Sequence, residues 1–445
     1  MQKNPQPVSP FSRVLDRFDA TMIVMGVVIG AGIFFTPSAV AQKLPSPAWI
    51  LAAWLLGGLS AAAGALTFAE LGSRLPRSGG LYVFLKEAYG RPVGFLYGWM
   101  LLLVSTSASV GIIAGIFASY LGYFLGFPAA WAKTAACLVI LFCAGLNCLG
   151  VRMASFVQNV FTVLKIGAIA GIVALGLAFR PERAVSIPHP ALEISPIFLL
   201  ILGGAMVPVF FTYGGWHHIN YIAGEVREPR RNVPFALITG IAGVMILYFL
   251  ANLAYLRHLP VARIASSEHV AADAAEAFLG IIGGKIVAGA ILVSTFGLLN
   301  ALTLTDPRVY RSMAEDGLFF KWASRVHPRF GSPVAAILVQ ALWSCLLVLI
   351  GDPGRLMNYL VFTDCLFFAA AGAALFILRA RRDEHQASFR VWLYPVTPVL
   401  FTLIQLAVAG AVLWSSPAES LAGILVALLG IGVYALRRGF ARSRR

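Results

Sequence analysis

Charge is what this chain has least of. Asp, Glu, Lys and Arg make up only 12% of its 445 residues, about half the share of an ordinary soluble domain. Acidic residues are the scarcer kind, 19 against 34 Lys and Arg. Cysteine is also rare. Cys137, Cys143, Cys148, Cys345 and Cys365 form no CxxC pair and have no histidine at ligand spacing. That pattern excludes a metal site or disulfide framework and leaves small buried hydrophobes. No Walker-type lysine loop is present, so no nucleotide-driven module is expected and energy must come from gradients or exchange. HExxH, GxSxG and paired aspartates are absent as well. The chain is therefore expected to be neither an enzyme nor the holder of a metal or cofactor.

What it has instead is apolar sequence: 59% hydrophobic residues and a mean hydropathy of +0.82. Apolar runs of about twenty residues, enough to cross a hydrocarbon core of about 30 Å, recur from end to end. Twelve candidate spans follow, the first at about 19–42, the fifth at 155–179, the sixth at 197–224, the eighth at 284–311, the ninth at 333–350 and the tenth at 355–378. The first run exceeds a signal-peptide core and lacks a cleavage site, so it reads as a retained span. Placing the N-terminus inside puts 25 Lys and Arg in inner segments and eight in outer ones, with Lys165 inside a span. This is the positive-inside bias. It predicts a multi-pass protein of the inner (plasma) membrane with both termini cytoplasmic, and accounts for the net charge of +15 without nucleic acid. The lipid bilayer is the expected surrounding.

The first span contains "MGVVIGAGIFFTP", residues 25–37, with glycines at 26, 30 and 32. Each weakens a helix by about 1 kcal/mol relative to alanine. Five spans later, "FFTYGGWHHIN" carries Gly214 and Gly215 near mid-span. An offset of five spans inverts the second unit, and glycine-interrupted spans at matching positions of two halves point to a transporter's binding site. A broken helix exposes carbonyls at one end and N–H groups at the other, tolerable in a membrane only beside a cavity. Those ends carry opposite partial charges, as the ammonium and carboxylate of an α-amino acid do. The N–H groups of Ala31, Gly32 and Ile33 would face a carboxylate. The carbonyls of Val28, Ile29, Phe211, Thr212 and Gly214 would face an ammonium. Close helix packing is the competing explanation for such glycines. A channel would favour repeated pore motifs and continuous polar faces over two isolated breaks.

"GVVIGAGIFFTP", "FAELGSRLPRSGGLYVFL" and "FFTYGGWHHINYIAGEVREPRRNVPFAL" resemble the amino acid–polyamine–organocation superfamily, and the "FxYGGW" core is most similar to its L-type amino acid transporter branch and their bacterial relatives. The resemblance implies an all-α membrane protein of the LeuT type. It would have twelve transmembrane helices in a five-plus-five inverted repeat, with helices 1 and 6 broken. The divisions would be a tail at 1–18, halves at 19–179 and 197–378, two additional spans within 392–436 and a basic tail at 437–445. It further implies secondary transport of amino acids by alternating access, through exchange or proton-coupled symport. Neutral L-amino acids are favoured by the scarcity of buried charge near the breaks. A cationic amino acid or polyamine carrier is the alternative. Animal members can have a single-span partner, but nothing here suggests one, including the unpaired outer cysteine it would use.

Lys165 lies about 15 Å into span 5 at 1.5 Å per residue, too deep to snorkel easily. A lysine there must be paired, hydrated or neutral. It is either a structural ammonium on backbone carbonyls or a cation or reversible proton held against the carbonyl ends of span 1. The resemblance associates a lysine at this position with sodium independence. The resemblance also makes Phe211 an aromatic lid, against ordinary packing. It sets His217 where L-type relatives commonly have asparagine and Ala31 where many have serine. His217 and His218 either line the side-chain pocket or are satisfied polar residues at a helix restart. Trp216 reads as packing. Asp364, deep in span 10, is a possible proton or gate site. Glu70 with Arg74, and Glu225 with Arg227, Arg230 and Arg231, are either an inner gate or solvated loop charges. Asp306, Arg308 and Arg311 read as structural, and Asn147, Gln158, Asn159 and Asn300 as interhelical hydrogen-bond partners.

Overall fold

The computed structural model describes residues 13–44, 46–179, 195–381 and 387–443. The predicted tail at 1–18 lies mostly outside these residues, as do the last two positions of the tail at 437–445. Among the described residues all regular elements are helical, apart from one isolated bridge between Leu15 and Val226.

Helix α1 (Arg17–Val28) opens with a reciprocal cap, Asp16 Oδ1 accepting from Asp19 N at 2.9 Å and Asp19 Oδ2 from Asp16 N at 3.0 Å, which satisfies two otherwise orphaned donors. After a non-helical interval at 29–31 the chain resumes as α2 (Gly32–Ala41). Then come α3 (Pro47–Arg74), α4 (Leu81–Tyr89) and α5 (Arg91–Met100). A π-helical turn at Leu101–Ser105 leads into α6 (Thr106–Leu125), followed by α7 (Ala132–Cys148) and α8 (Val151–Ala178). Helix α9 (Pro196–Tyr213) begins the predicted sixth span. It stops at the glycine pair and continues as a 3₁₀ segment, Trp216–Glu225. Next are α10 (Pro229–His258), α11 (Val261–Ser266), α12 (Val270–Leu279), α13 (Ile281–Thr305), α14 (Pro307–Glu315), α15 (Val334–Ile350), α16 (Pro353–Ala380), α17 (Val396–Ser415) and α18 (Pro417–Ser443). Proline opens α3, α10 and α14, where its missing N–H costs nothing.

Eleven helices among the described residues are long and apolar enough to cross a membrane. The predicted ninth span is α15, whose 17 residues make about 25 Å of helix, at the short limit of a crossing. The outer segment near 257–283, expected to hold one surface helix, forms two. The second, α12, buries Val270, Ala271, Ala274 and Ala275 and packs on α13 and α2. Burial of the apolar windows falls from 83% for Arg17–Ala41 to 17% for Pro417–Arg437. The broken first element is therefore the centre of the bundle and the last helix its rim. Phe142, Phe156, Ile246, Ile286 and Leu342 point outward and exposed, the surface a lipid solvent would cover.

Polar side chains hold the helices to one another as the sequence suggests. Asn147 Nδ2 donates to Asn300 Oδ1 at 2.9 Å, Asn300 Nδ2 to Ala154 O at 3.1 Å, and Asn159 Nδ2 to Asp19 Oδ1 at 2.6 Å. Glu70, a candidate for either an inner gate or a solvated loop charge, is fully buried and pairs with Arg74 and with Arg379 of α16, at 2.9 and 2.5 Å, while accepting from Val391 N at 2.8 Å. It thus pins three chain segments together. Glu70→Gln, which keeps one acceptor and removes the charge, should destabilise the bundle by about 2 kcal/mol, read as a lower melting temperature in detergent. An unchanged melting curve would make this node decorative.

Candidate substrate-binding site

The two breaks meet at the centre. Helix α1 closes with Ile29 N donating to Met25 O at 2.7 Å and Gly30 N to Val28 O at 2.8 Å. The early N–H groups of α2 then have no acceptor within their own helix. Gly32 is obligatory for contact between the breaks, because a Cβ there would lie 2.6 Å from Thr212 Oγ1. Thr212 Oγ1 in turn is 2.8 Å from Thr36 Oγ1. Gly215 adopts φ +97°, and a Cβ on it would lie 2.4 Å from Val27 Cγ1. Glycine is the residue such a backbone allows.

Between the breaks is a cavity of about 80 Å³, lined by residues of both. Of the residues singled out from sequence, Val28, Ala31, Gly32, Phe211, Thr212, Gly214, His217 and Asp364 line it. Ile29 and Ile33 do not. Ile33 is buried in the core, and the Ile29 carbonyl is turned to Lys165. Lys165 is completely buried and donates from Nζ to Gly26 O at 2.7 Å and to Ile29 O at 2.9 Å. Its amino group thus satisfies carbonyls at the C-terminal end of α1. The Val28 carbonyl accepts from the Tyr248 hydroxyl at 2.7 Å. The expectation that Val28 and Ile29 offer open carbonyls to a ligand therefore changes: both already carry a bond, because the break's own acceptors are satisfied by side chains of α8 and α10.

The wall carries the titratable side chains singled out from sequence, His217, His218 and Asp364. Asp364 Oδ1 accepts from Ser105 Oγ at 2.5 Å, and Ser105 closes the π turn that leads into α6, a distortion that often marks a functional site. His217 is buried against the rings of Phe68, Tyr221 and Phe368, with no hydrogen-bond partner for Nδ1 among the described residues. Phe211 stands at the cavity edge-on to Phe35, ring centres 6.3 Å apart. Trp216 packs among Phe68, Phe368 and Phe401. Glu225 does not pair with the loop arginines. It accepts from Arg308 Nε at 2.9 Å, both side chains buried. Arg308, read as merely structural, therefore belongs to the same inner network.

A sequence profile described as amino acid permease matches residues 15–433. This chain belongs to the amino acid permease family. The permease is 33% identical over 418 residues to the serine/threonine exchanger SteT of Bacillus subtilis, covering 93% of this chain and 94% of that one. It is 31% identical to the human b(0,+)-type amino acid transporter 1 over 98% and 90% of the two chains. It is 30% identical to the mouse large neutral amino acids transporter small subunit 2 over 93% and 79%. The permease is accordingly a multi-pass membrane transporter of amino acids and not an enzyme.

Sequence reading missed Tyr248 and Ser105. A hydroxyl in the apolar run "VMILYFLAN" needs a buried partner, a signal available in the sequence. The π turn that aims Ser105 at Asp364 has none.

Proposed function

We propose that the permease is a sodium-independent secondary transporter of neutral L-amino acids, working by alternating access through exchange or proton symport. In this reading it has twelve spans, the first ten forming two inverted repeats of five, with both termini in the cytoplasm of an inner-membrane protein. The observation that carries it is the meeting of two helix breaks at one cavity, with a buried ammonium occupying the carbonyl end of the first. Lys165 then stands where a sodium ion would otherwise satisfy Gly26 and Ile29, which is the reason for expecting no sodium requirement.

The N–H groups that open α2 at Ala31 and Gly32, both on the cavity wall, would receive the substrate carboxylate. With no hydroxyl on Ala31, that site rests on backbone donors. The ammonium would fall to the carbonyls of Phe211, Thr212 and Gly214, each of which retains a lone pair, since Val28 and Ile29 are already engaged. Phe211 would cover the bound molecule and His217 would meet its side chain. Asp364 is the acidic side chain on the wall. Its bond from Ser105 satisfies one oxygen, which suits a neutral substrate. A cationic amino acid or polyamine would instead compete with Ser105 for it.

Counterflow in proteoliposomes tests the reading. Labelled L-serine or L-leucine should accumulate against internal unlabelled amino acid equally well with sodium or choline outside. Lysine and putrescine should compete poorly. Strong competition by either would select the cationic alternative, and a sodium requirement would remove the role given to Lys165. Transported amino acids at a hundred times their Kd should also stabilise the purified permease by about 2.7 kcal/mol, read as a raised melting temperature. A panel in which no amino acid shifts it would contradict binding at the cavity.

A further inference from the structure

Next to the cavity lies a set of buried titratable groups that recognition of an amino acid head group leaves unused. His218 lines the cavity, and its Nδ1 is 2.7 Å from Asp306 Oδ1 and 2.9 Å from Thr305 Oγ1. Asp306 is fully buried, and its second oxygen, Oδ2, has no hydrogen-bond partner among the described residues. A bare carboxylate oxygen in the interior is costly and calls for a reason.

The pair stands at the front of the 3₁₀ segment Trp216–Glu225, all ten residues of which are buried. The middle of the segment is held by Tyr221, whose hydroxyl is bonded to that of Tyr97 and whose carbonyl accepts from Gly79 N at 2.9 Å. Its rear is held by Glu225, through Arg308 and through a carbonyl that accepts from Val14 N and Leu15 N, both at 3.0 Å. The segment is two short 3₁₀ pieces joined across a kink at Ile222, whose φ and ψ are not helical, as the short runs favoured by 3₁₀ geometry lead one to expect. The clamps, more than the segment's own bonds, keep it in place. Opening the cavity toward the end where α4, α14 and residues 13–15 meet requires the segment to move.

We propose that the His218–Asp306 pair is a proton-binding site whose loading releases the front of this segment, so that one proton crosses with each amino acid. In the closed state one proton is shared between imidazole and carboxylate. A second, delivered as hydronium from the aqueous phase that the cavity faces and leaving neutral water behind, bonds to Asp306 Oδ2. The carboxylate becomes a neutral acid, its hold on the imidazolium weakens, and the front clamp slackens. The proton leaves to the opposite aqueous phase once that end opens, and no other bond is made or broken. Other groups around the pair set its environment. Asp364 of α16 lies in electrostatic range of both members, and Tyr310 of α14 of Asp306. The His217 ring packs tilted against the His218 ring and the Tyr221 ring meets it edge-on. Of the remaining charges on neighbouring helices, Glu225 is held by Arg308, Arg311 pairs with Glu315, Glu70 with Arg74 and Arg379, and Lys86 with Asp316. Arg17 and Asp19 of α1 bond Asn232 and Asn159, and Arg230 and Arg231 open α10 at the bundle end.

This rests on the carrier reading above, and the experiment separates the two. In proteoliposomes, counterflow of labelled L-serine or L-leucine at equal pH tests the carrier. An inside-alkaline step at zero membrane potential tests the coupling. The wild type should concentrate substrate up to about tenfold per pH unit, and a trapped pH dye should report acidification on substrate addition. Asp306→Asn should keep counterflow and lose both the driven accumulation and the acidification. Wild-type accumulation indifferent to the pH step while counterflow persists overturns the proton site. So does an Asn variant that still concentrates substrate. Should that variant lose counterflow as well, the wild-type pH arm decides. Absence of wild-type counterflow with both amino acids sinks the carrier reading, and this inference with it.

Discussion

Lys165→Ala is expected to bring amino acid uptake to background while the permease still inserts and elutes as a single species. The lysine makes two hydrogen bonds, to Gly26 O and Ile29 O, from a position with no exposure. Hydrogen bonds to charged groups are worth about 1.5–3 kcal/mol each. Losing even one from the transport-competent geometry is about tenfold in rate. Losing both leaves Gly26 O without this donor and Ile29 O with only the long bond from Ser294 Oγ at 3.4 Å, and frees the broken end of α1 to shift, so the combined effect should exceed about a hundredfold. The truncation also leaves a cavity, and a stability loss of about 2–5 kcal/mol is expected, so melting temperature should be measured beside uptake. Lys165→Met separates the effects: it restores volume and stability without restoring the ammonium, and uptake should stay at background. Wild-type rates in either variant would remove the lysine from the mechanism.

Gly215→Ala should be the most damaging single-methyl change near the cavity. The residue sits at φ +97°, where a Cβ costs about 1–2 kcal/mol. The new methyl would also lie 2.4 Å from Val27 Cγ1, adding overpacking of about 1–3 kcal/mol. Because Val27 and Gly215 both line the cavity, the shift that relieves the clash moves the site itself. Substrate affinity should fall at least about tenfold along with the melting temperature. Pairing the change with Val27→Ala should recover the overpacking share and none of the backbone share, a non-additivity expected of touching residues. A Gly215→Ala protein with wild-type binding and melting would show that the two breaks do not press together here.

Much of the site was legible before any coordinates. The glycines at 26, 30, 32, 214 and 215 stood out because apolar spans have no ordinary use for them, and both helices break where they cluster. Lys165 stood out because an ammonium at mid-span must find oxygen, and it found the oxygens of span 1. Eight of the residues proposed for the site or its gating border one cavity. Asp364 was singled out on cost alone, and its partner Ser105 was not, since the π turn joining them is a property of the packed helix. The misreading of Glu225 has the same origin. Arginines at 227, 230 and 231 are its neighbours along the chain, while Arg308 is 83 positions away and reaches it only through the packing of α14 against the 3₁₀ segment.

Two quantities were set by composition and local order: a chain too apolar for water must fold within lipid, and helices punctuated by glycine must break where a cavity can receive their ends. Those follow from the solvation of side chains and backbone, which each stretch of sequence carries with it. Which acceptors remain open at the breaks was decided by tertiary structure. Tyr248 and Lys165 arrive from other helices to take the carbonyls of residues 28 and 29, and His218 meets Asp306 across 88 positions. Hydrogen bonds and charge pairs act over about 3 Å, so their partners are defined only when distant segments are packed into register.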